Sequence, residues 1–224
     1  MTTTTAKITD LSIQESVQSE LEWTPEVDAA GIGVAVDDGV VSLSGEIGSY
    51  AERAAANRAA LRVRGVGAVV DDLVSHPKSA SWIVTDADIA KSVRNALEST
   101  ATVPKSVKAT VNGGTVTLTG EVQWEFQRAS ARHAIARLRG VTLIDNRISL
   151  FPRPSSTETS KNITEALVRN ATVDADRITV TTDGTKVTLT GSVKSWAEKR
   201  QAGFAAWASP HVADVDNRIT VSDI

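Results

Sequence analysis

A repeat of about seventy residues constrains this chain more than any other feature of its sequence. The segment Val41–Ile47 reads VSLSGEI, and it returns as VTLTGEV over 116–122 and as VTLTGSV over 187–193. Each segment contains one glycine, and these anchor glycines, 75 and then 71 residues apart, are Gly45, Gly120 and Gly191. A period this long exceeds that of most solenoid repeats, so each copy is expected to be a small domain.

Each copy opens with the pattern of an amphipathic helix followed by a hairpin. Apolar residues at steps of four line one helical face; they are Ile13, Val17 and Leu21, then Ile89, Val93 and Leu97, then Ile163 and Leu167. Two alternating apolar runs follow in each copy. The turn signals between them are Asp37-Asp38-Gly39, Asn112-Gly113-Gly114 and Asp183-Gly184. Because glycine reaches positive φ at little cost, these signals predict hairpins.

A second helix and a last strand complete each copy. Ser49 with Glu52, and Ser195 with Glu198, predict capping boxes at equal distances from their anchor glycines, whereas Trp124 takes the cap position in the second copy. An alanine-rich face follows, and Gly65 and Gly140, each before a valine, are expected to end the helix.

The last strand carries a polar residue between two apolar ones on the same face; these polar residues are Asp71, Asn146 and Asn217. We expect each of them to bond a nearby loop backbone or to mark a bulge. The sequence thus predicts an α+β fold of three tandem αββαβ modules, over residues 8–75, 84–151 and 157–224.

This order of motifs resembles the BON domain family, the bacterial osmotically inducible and nodulation domain. The resemblance extends over three tandem copies and is best in Val111–Leu150, which contains Gly120, Gly140-Val141 and Asn146-Arg147-Ile148. It implies two helices on a three-stranded mixed sheet, no enzymatic activity, and roles in envelope integrity, osmotic stress, phospholipid contact and chaperone-like binding. A cytoplasmic relative that responds to potassium adds a monovalent cation as an alternative ligand.

Composition narrows the environment and the class of partner. The chain has no cysteine, which excludes disulfides, thiolate metal sites and a cysteine nucleophile. The N-terminus lacks the apolar stretch of a secretory signal, and no run approaches membrane-spanning length. The sequence therefore predicts a soluble cytoplasmic protein, or a periplasmic one if the natural chain begins further upstream. A nucleic-acid partner is not expected, because the chain has a net charge of -3 and no reader motif.

The charge is unevenly divided among the copies. Residues 10–74 contain 4 basic and 12 acidic side chains, residues 86–150 contain 9 and 6, and residues 157–224 contain 8 and 9. The balances are therefore -8, +3 and -1. Such divergence indicates that the exposed faces differ in function or attract one another.

No pattern of catalytic or ligand-binding residues recurs in the copies. His76, His133 and His211 occupy unrelated repeat positions, so no shared histidine site is expected. Gly31-Ile32-Gly33 enters a strand and is not a dinucleotide fingerprint. The aspartate pairs lack the spacing of a calcium loop. We therefore predict no catalytic site, no metal site and no cofactor, although a cation held by backbone carbonyls would leave no sequence signal.

One basic surface is a candidate for an anionic ligand. Its residues are Trp124, Arg128, Arg132 and Arg139, and on a continuous helix the three arginines lie within about 40° of one another. Such a surface could contact phosphate or anionic lipid head groups. The alternative is a solvated helix face whose basic last turn suits the helix dipole.

The sequence therefore leads to three functional hypotheses. The first is a non-enzymatic binding or scaffold protein of the envelope or stress response that contacts anionic lipid or other cell-surface components. The second is self-assembly into homo-oligomers, in which the acidic first copy of one chain meets the basic second copy of a neighbour. The third is cation sensing.

Overall fold

Each module places two helices on one face of a small sheet. The structure, a computed structural model, describes residues 9–75, 84–151, 158–170 and 174–222. We call the described residues up to 75 module 1, those from 84 to 151 module 2, and those from 158 onward module 3. The chain divides into two compact units near residue 81, and the second unit contains modules 2 and 3. The predicted boundaries of three separate modules remain a prediction.

The elements follow the same order in every module. Module 1 comprises α1 Asp10–Glu22, β1 Ile32–Asp37, β2 Val40–Ile47, α2 Tyr50–Ala60 and β3 Ala68–Ser75. Module 2 comprises α3 Asp86–Ser99, β4 Lys108–Asn112, β5 Thr115–Thr119, β6 Glu121–Val122, α4 Glu125–Ile135, β7 Leu143–Asn146 and β8 Ser149–Leu150. Module 3 comprises α5 Thr159–Val168, β9 Ile178–Asp183, β10 Lys186–Val193, α6 Trp196–Trp207, β11 Asp214–Asn217 and β12 Thr220–Val221.

The sheets are mixed, as the family resemblance implied. In module 1, β1 pairs with β2 antiparallel as a hairpin, and β3 returns parallel to β2, so that β2 is central. Module 2 repeats this arrangement with β4, β5 and β7, while β6 and β8 pair parallel beyond them. Module 3 repeats it with β9, β10 and β11, and β12 also pairs with β10. The prediction of an α+β fold of repeated αββαβ modules is confirmed.

The predicted apolar stripes form the cores. Leu21 of α1 and Leu43 of β2 are fully buried, as is Ala56 of α2. Burying one such leucine contributes about 2 kcal/mol. The alanine face brings α2 close to the sheet, and Ala131 and Ala202 are likewise fully buried on α4 and α6.

The anchor glycines allow two backbones to approach closely. Gly45, Gly120 and Gly191 have φ of 122°, 122° and 124°, a region that side-chain-bearing residues rarely enter. A Cβ at Gly120 would lie 2.4 Å from the carbonyl oxygen of Ser106, and one at Gly191 would lie 1.9 Å from that of Arg177. Glycine is therefore required at these positions for both conformation and space.

A carboxylate on the first helix holds the hairpin turn in modules 1 and 2. The carboxylate oxygens of Asp10 accept from the backbone N–H groups of Asp38 and Gly39, both at 3.0 Å. Asp86 accepts in the same way from Gly113 at 2.7 Å and from Gly114 at 3.0 Å. In module 3 the equivalent residue is Ser160, whose hydroxyl instead donates to the carbonyl of Val180 at 3.0 Å.

The second helix ends earlier than the glycines indicated. We expected it to end at Gly65 in module 1 and at Gly140 in module 2, but α2 ends at Ala60 and α4 at Ile135. The chain then tightens, because Val63 donates to the carbonyl three residues back, that of Ala60. Gly65 and Gly140, with φ of 90° and 85°, occupy the following turn into the last strand.

The predicted capping boxes are formed in part. The Ser49 hydroxyl accepts from the N–H of Glu52, and the Ser195 hydroxyl accepts from that of Glu198, both at 3.2 Å. The carboxylate of Glu52 does not complete the box. It accepts from the N–H groups of Gly48 at 2.7 Å and of Asp28 at 3.0 Å, and so holds the loop before β1.

Candidate functional site

The polar residue of the last strand joins that strand to the second helix. In module 2 the Asn146 amide donates to the carbonyl of Arg128 at 3.3 Å, and its oxygen accepts from the N–H of Ile148 at 3.2 Å. In module 3 Asn217 donates to the carbonyl of Lys199 at 2.9 Å and accepts from Ile219 at 3.3 Å. The predicted bond to main chain is present, but it is made to a helix carbonyl rather than to a loop, and the strand is interrupted there without a bulge.

Module 1 makes the same connection with its donor on the helix. Asp71 cannot donate to a carbonyl, and it accepts from the N–H of Leu73 at 3.2 Å and from the amide of Asn57 at 2.7 Å. That amide also donates to the carbonyl of Arg53 at 3.0 Å, and Arg53 Nε lies 2.8 Å from the Asp71 carboxylate. The polar residue of the last strand therefore joins strand to helix in all three modules.

Arg128, the first arginine of the predicted basic surface, is paired within the chain. Its Nε lies 2.6 Å from Oε2 of Glu125, and both side chains are about three-quarters buried, at 25 and 24 % exposed. Burial raises the pKa of Glu125 above its ordinary value, and the nearby Arg128 charge opposes that rise. The charge of Arg128 is therefore largely neutralised in place.

Arg128 also contacts module 3. Its guanidinium carbon lies 4.7 Å from the centre of the Trp207 ring on α6, a cation–π distance. The sequence gave no signal for this partner, because the tryptophans occupy unrelated repeat positions. Trp207 therefore lies at a contact between modules 2 and 3. Trp82 lies outside the described residues, as does His76.

The other members of the predicted surface are divided between a helix and a turn. Trp124 is the half-buried cap residue of α4, and Arg132 is exposed on that helix. Arg139 is exposed but lies beyond the end of α4 at Ile135, so the prediction that it shares a helical face with Arg128 is wrong. Whether Arg132 and Arg139 bind an anion remains a prediction.

No metal-binding cluster is apparent in the part of the chain that the structure describes. Within the described ranges, no group of three histidine or acidic side chains is placed to hold an ion. His133 is exposed on α4, with its Nδ1 3.1 Å from the carbonyl of Ala129. Among the described helices, none is long and apolar enough to cross a bilayer.

The sheet face opposite the helices differs between module 1 and the other two modules. In modules 2 and 3 it carries mainly hydroxyl and charged residues, with Thr110, Thr117 and Asp145 in neighbouring positions across one sheet and Thr181, Thr188 and Asp216 across the other. In module 1 the corresponding positions are Ala35, Ser42 and Val70. The cores repeat in all three modules, whereas this exposed face is alike in modules 2 and 3 and different in module 1.

Exposed aromatic residues also differ among the modules. Trp23, at the end of α1, is 84 % exposed, and it borders an open depression of about 550 Å³ together with Glu15, Ser16, Ser19 and Glu20. Phe126 on α4 is 55 % exposed. The positions equivalent to Phe126, each six residues after the anchor glycine, are occupied by Ala51 and Ala197.

These features define a class: tandem α+β modules with a shared skeleton and divergent exteriors. A family model described as the BON domain matches residues 9–76, 85–150 and 155–223. The chain therefore belongs to the BON domain family, in three tandem copies, as the sequence resemblance predicted. BON domains are a non-catalytic family.

Comparisons with individual proteins add little to the family assignment. No curated protein matches the chain. The C-terminal domain of CdsD, a structural protein of the type III secretion system of Chlamydia trachomatis, matches at 14 % identity, covering 96 % of this chain and 100 % of that one, with a TM-score of 0.27. The periplasmic domain of PrgH matches at 10 % identity over 86 and 95 %, with a TM-score of 0.22. At TM-scores this low, neither match bears on function.

Proposed function

We propose that the chain is a non-enzymatic scaffold that binds other molecules through the exposed faces of its modules. The observation that supports this most strongly is the contrast between the skeleton and the exterior. The polar residues that recur by position, such as Asp86, Ser195 and Asn217, bond main chain. Catalytic groups would be expected to recur in each module or to converge on one site. These residues do neither as reactive groups.

The divergent exteriors supply the binding surfaces. Module 1 presents small apolar and acidic residues, while modules 2 and 3 present rows of threonine. A scaffold of this kind would work in the envelope or in the response to osmotic stress, with chaperone-like binding as one form of its activity. The family resemblance supports that setting.

Co-purification from the native host tests the scaffold. The full chain is compared with a variant in which an exposed face carries Val70→Asp and Ala35→Thr, the residues that modules 2 and 3 have at those positions. We expect retained partners to be lost from the variant while circular dichroism and the unfolding midpoint stay unchanged. Recovery of the same set of partners with both chains would contradict binding through this face.

Contact with anionic lipid is a second candidate, favoured by the exposed Arg132 and Arg139. Vesicles of phosphatidylglycerol mixed with phosphatidylcholine are sedimented with wild type, with Arg132→Glu/Arg139→Glu, and with the control Arg94→Glu, an exposed arginine on α3 of the same module. Charge reversal of each contacting arginine should weaken binding by roughly two kcal/mol, since each basic residue contributes about 1 kcal/mol near an anionic surface. Equal sedimentation of all three chains would reject the lipid site.

A further inference from the structure

Module 1 carries an apolar patch that its sister modules lack. The patch consists of Ala35, Val40 and Val70, with Val74 beyond Asp72 on the same strand; all lie on the sheet face opposite the helices, where the valines are 37, 42 and 53 % exposed. At the positions of Val40, module 2 has Thr115 and module 3 has Lys186; at Val70 they have Asp145 and Asp216; at Val74 they have Ser149 and Thr220. The same fold thus forms with polar residues at these positions, so folding does not require the module 1 patch.

The dimensions of the patch suit a single helix. Three strands span about 10 Å between the outer strand axes, and β3 with eight residues is about 26 Å long. One helix is about 10 Å across, so it would match the width of the sheet. Beneath it lie Gly33, Ser42 and Ser44, which are small enough to allow close approach. The face bears Asp37, Asp72 and Glu46 and no basic side chain.

Module 2 carries a helix with the complementary character. On α4 the exposed Phe126 stands where the sister modules have alanine, and the exposed Arg132 stands where they have Asn57 and Gly203. His133 is exposed on the same helix, on the side of Phe126. With 11 residues, α4 is about 17 Å long, which is shorter than the patch it would cover.

We propose that copies of the chain associate head to tail, with α4 of one copy lying on the module 1 patch of the next and Phe126, at the N-terminal end of α4, as its main apolar contact. The acidic balance of -8 in residues 10–74 and the basic balance of +3 in residues 86–150 favour this pairing. The two surfaces are different, so the contact is heterologous and leaves an unused patch and an unused helix at the ends, which permits growth into rings or filaments. This inference rests on the proposed scaffold function and names a partner for it.

Sedimentation velocity of the full chain over a range of concentrations tests the contact. At low salt we expect the weight-average sedimentation coefficient to rise with concentration, and at about 1 M salt, where the Debye length falls to about 3 Å, the rise should diminish. Phe126→Ala and Val70→Asp should each weaken association at least tenfold, because each removes an apolar side chain from the contact. Both substitutions introduce residues that sister modules carry at these positions, so each variant is expected to fold.

A mixture of the two variants gives the sharpest result. The Val70→Asp chain keeps its α4 face and the Phe126→Ala chain keeps its patch, so each should be monomeric alone while an equimolar mixture forms a 1:1 dimer and nothing larger. Trp23→Ala and Phe204→Ala remove exposed aromatics elsewhere and should leave association unchanged. The proposal would be overturned by a wild-type chain that stays monomeric at low salt or by a mixture that does not dimerise. It would also be overturned if the control variants associated as weakly as the test variants.

The result is separable from the test of the scaffold. Partners that co-purify from the host while the chain stays monomeric would leave the scaffold standing and reject self-association. If the mixed variants dimerise but no other molecule co-purifies, self-association stands and the binding of other partners is rejected.

Discussion

The guanidinium of Arg128 lies over the indole ring of Trp207, 4.7 Å from its centre, and joins the second helix of module 2 to the second helix of module 3. Glu125 holds the same guanidinium from the other side at 2.6 Å. Three side chains therefore connect two modules that otherwise repeat each other.

The Arg128–Trp207 contact should show measurable coupling. Arg128→Ala and Trp207→Ala, alone and together, are compared by urea unfolding of the full chain. We expect a coupling energy of about 1 kcal/mol, within the range for partly desolvated cation–π pairs. Lys199 and Trp196, 5.0 Å apart within α6, provide a matched cycle in which the effect is confined to module 3. Strictly additive single variants at Arg128 and Trp207 would show that the contact does not stabilise the pair of modules.

An added methyl group at an anchor glycine should be far more harmful than one at a turn glycine. Gly120→Ala places a Cβ 2.4 Å from a carbonyl oxygen, and the backbone there has φ of 122°. We expect a loss of about 3 kcal/mol or more in the free energy of unfolding. Gly113→Ala, with φ of 55° and nothing within 4 Å of the new Cβ, should cost only about 1 kcal/mol. Equal losses in urea titrations would argue against the close approach.

Module 1 has its amide donor on the second helix, at Asn57, and module 2 has it on the last strand, at Asn146. Two substitutions should convert the arrangement of module 2 into that of module 1. Asn146→Asp removes the donor to the Arg128 carbonyl and should cost about 1–3 kcal/mol. Adding Arg132→Asn supplies an amide at the position of Asn57, which in module 1 donates both to a carboxylate and to the helix carbonyl, and should restore most of the loss. Asn112→Asp, the same change at an exposed hairpin position, should alter stability by less than about 0.5 kcal/mol. A double variant no more stable than Asn146→Asp would refute the exchange.

Glu125 should make stability depend on pH. Because burial raises the pKa of Glu125 in the folded chain above its ordinary value of 4.5, the folded state holds the proton more tightly than the unfolded state. The resulting stabilisation is complete below pH 4.5 and is lost as the pH rises through the folded pKa. As the pH rises from 4.5, wild type should therefore lose stability relative to Glu125→Gln. Its unfolding midpoint should fall relative to that of the variant. Glu165→Gln, at an exposed residue of α5, is the control, and parallel pH profiles for wild type and Glu125→Gln would contradict this assignment.

The sequence predicted the skeleton well because local signals repeat three times. Four-residue apolar steps, alternating strands and Asn-Gly or Asp-Gly turns each describe short-range structure, and their recurrence at fixed offsets identified the modules. The ends of the second helices were misplaced because Gly65 and Gly140 have positive φ in a turn that begins five residues earlier. Nothing local marks that tighter turn.

The contacts of the candidate surface were harder to predict. The pairing of Arg128 with Trp207 depends on how two modules meet, and no repeat position encodes it. The sequence gives no signal for the role of Asn57 for a similar reason. Its amide matters because Asp71, at the position of Asn146 and Asn217, cannot donate a hydrogen bond. Arg139 was assigned to a helix that had already ended, which separated it from Arg128.

The exchange of donor and acceptor between Asn57–Asp71 and Arg132–Asn146 limits how such proteins can recombine. A hybrid module that took its second helix from one repeat and its last strand from another could bring two acceptors together, or place an asparagine against a side chain that already supplies the hydrogen. Such a mismatch arises only in hybrids with module 1, because modules 2 and 3 both bond an asparagine of the last strand to a carbonyl of the second helix.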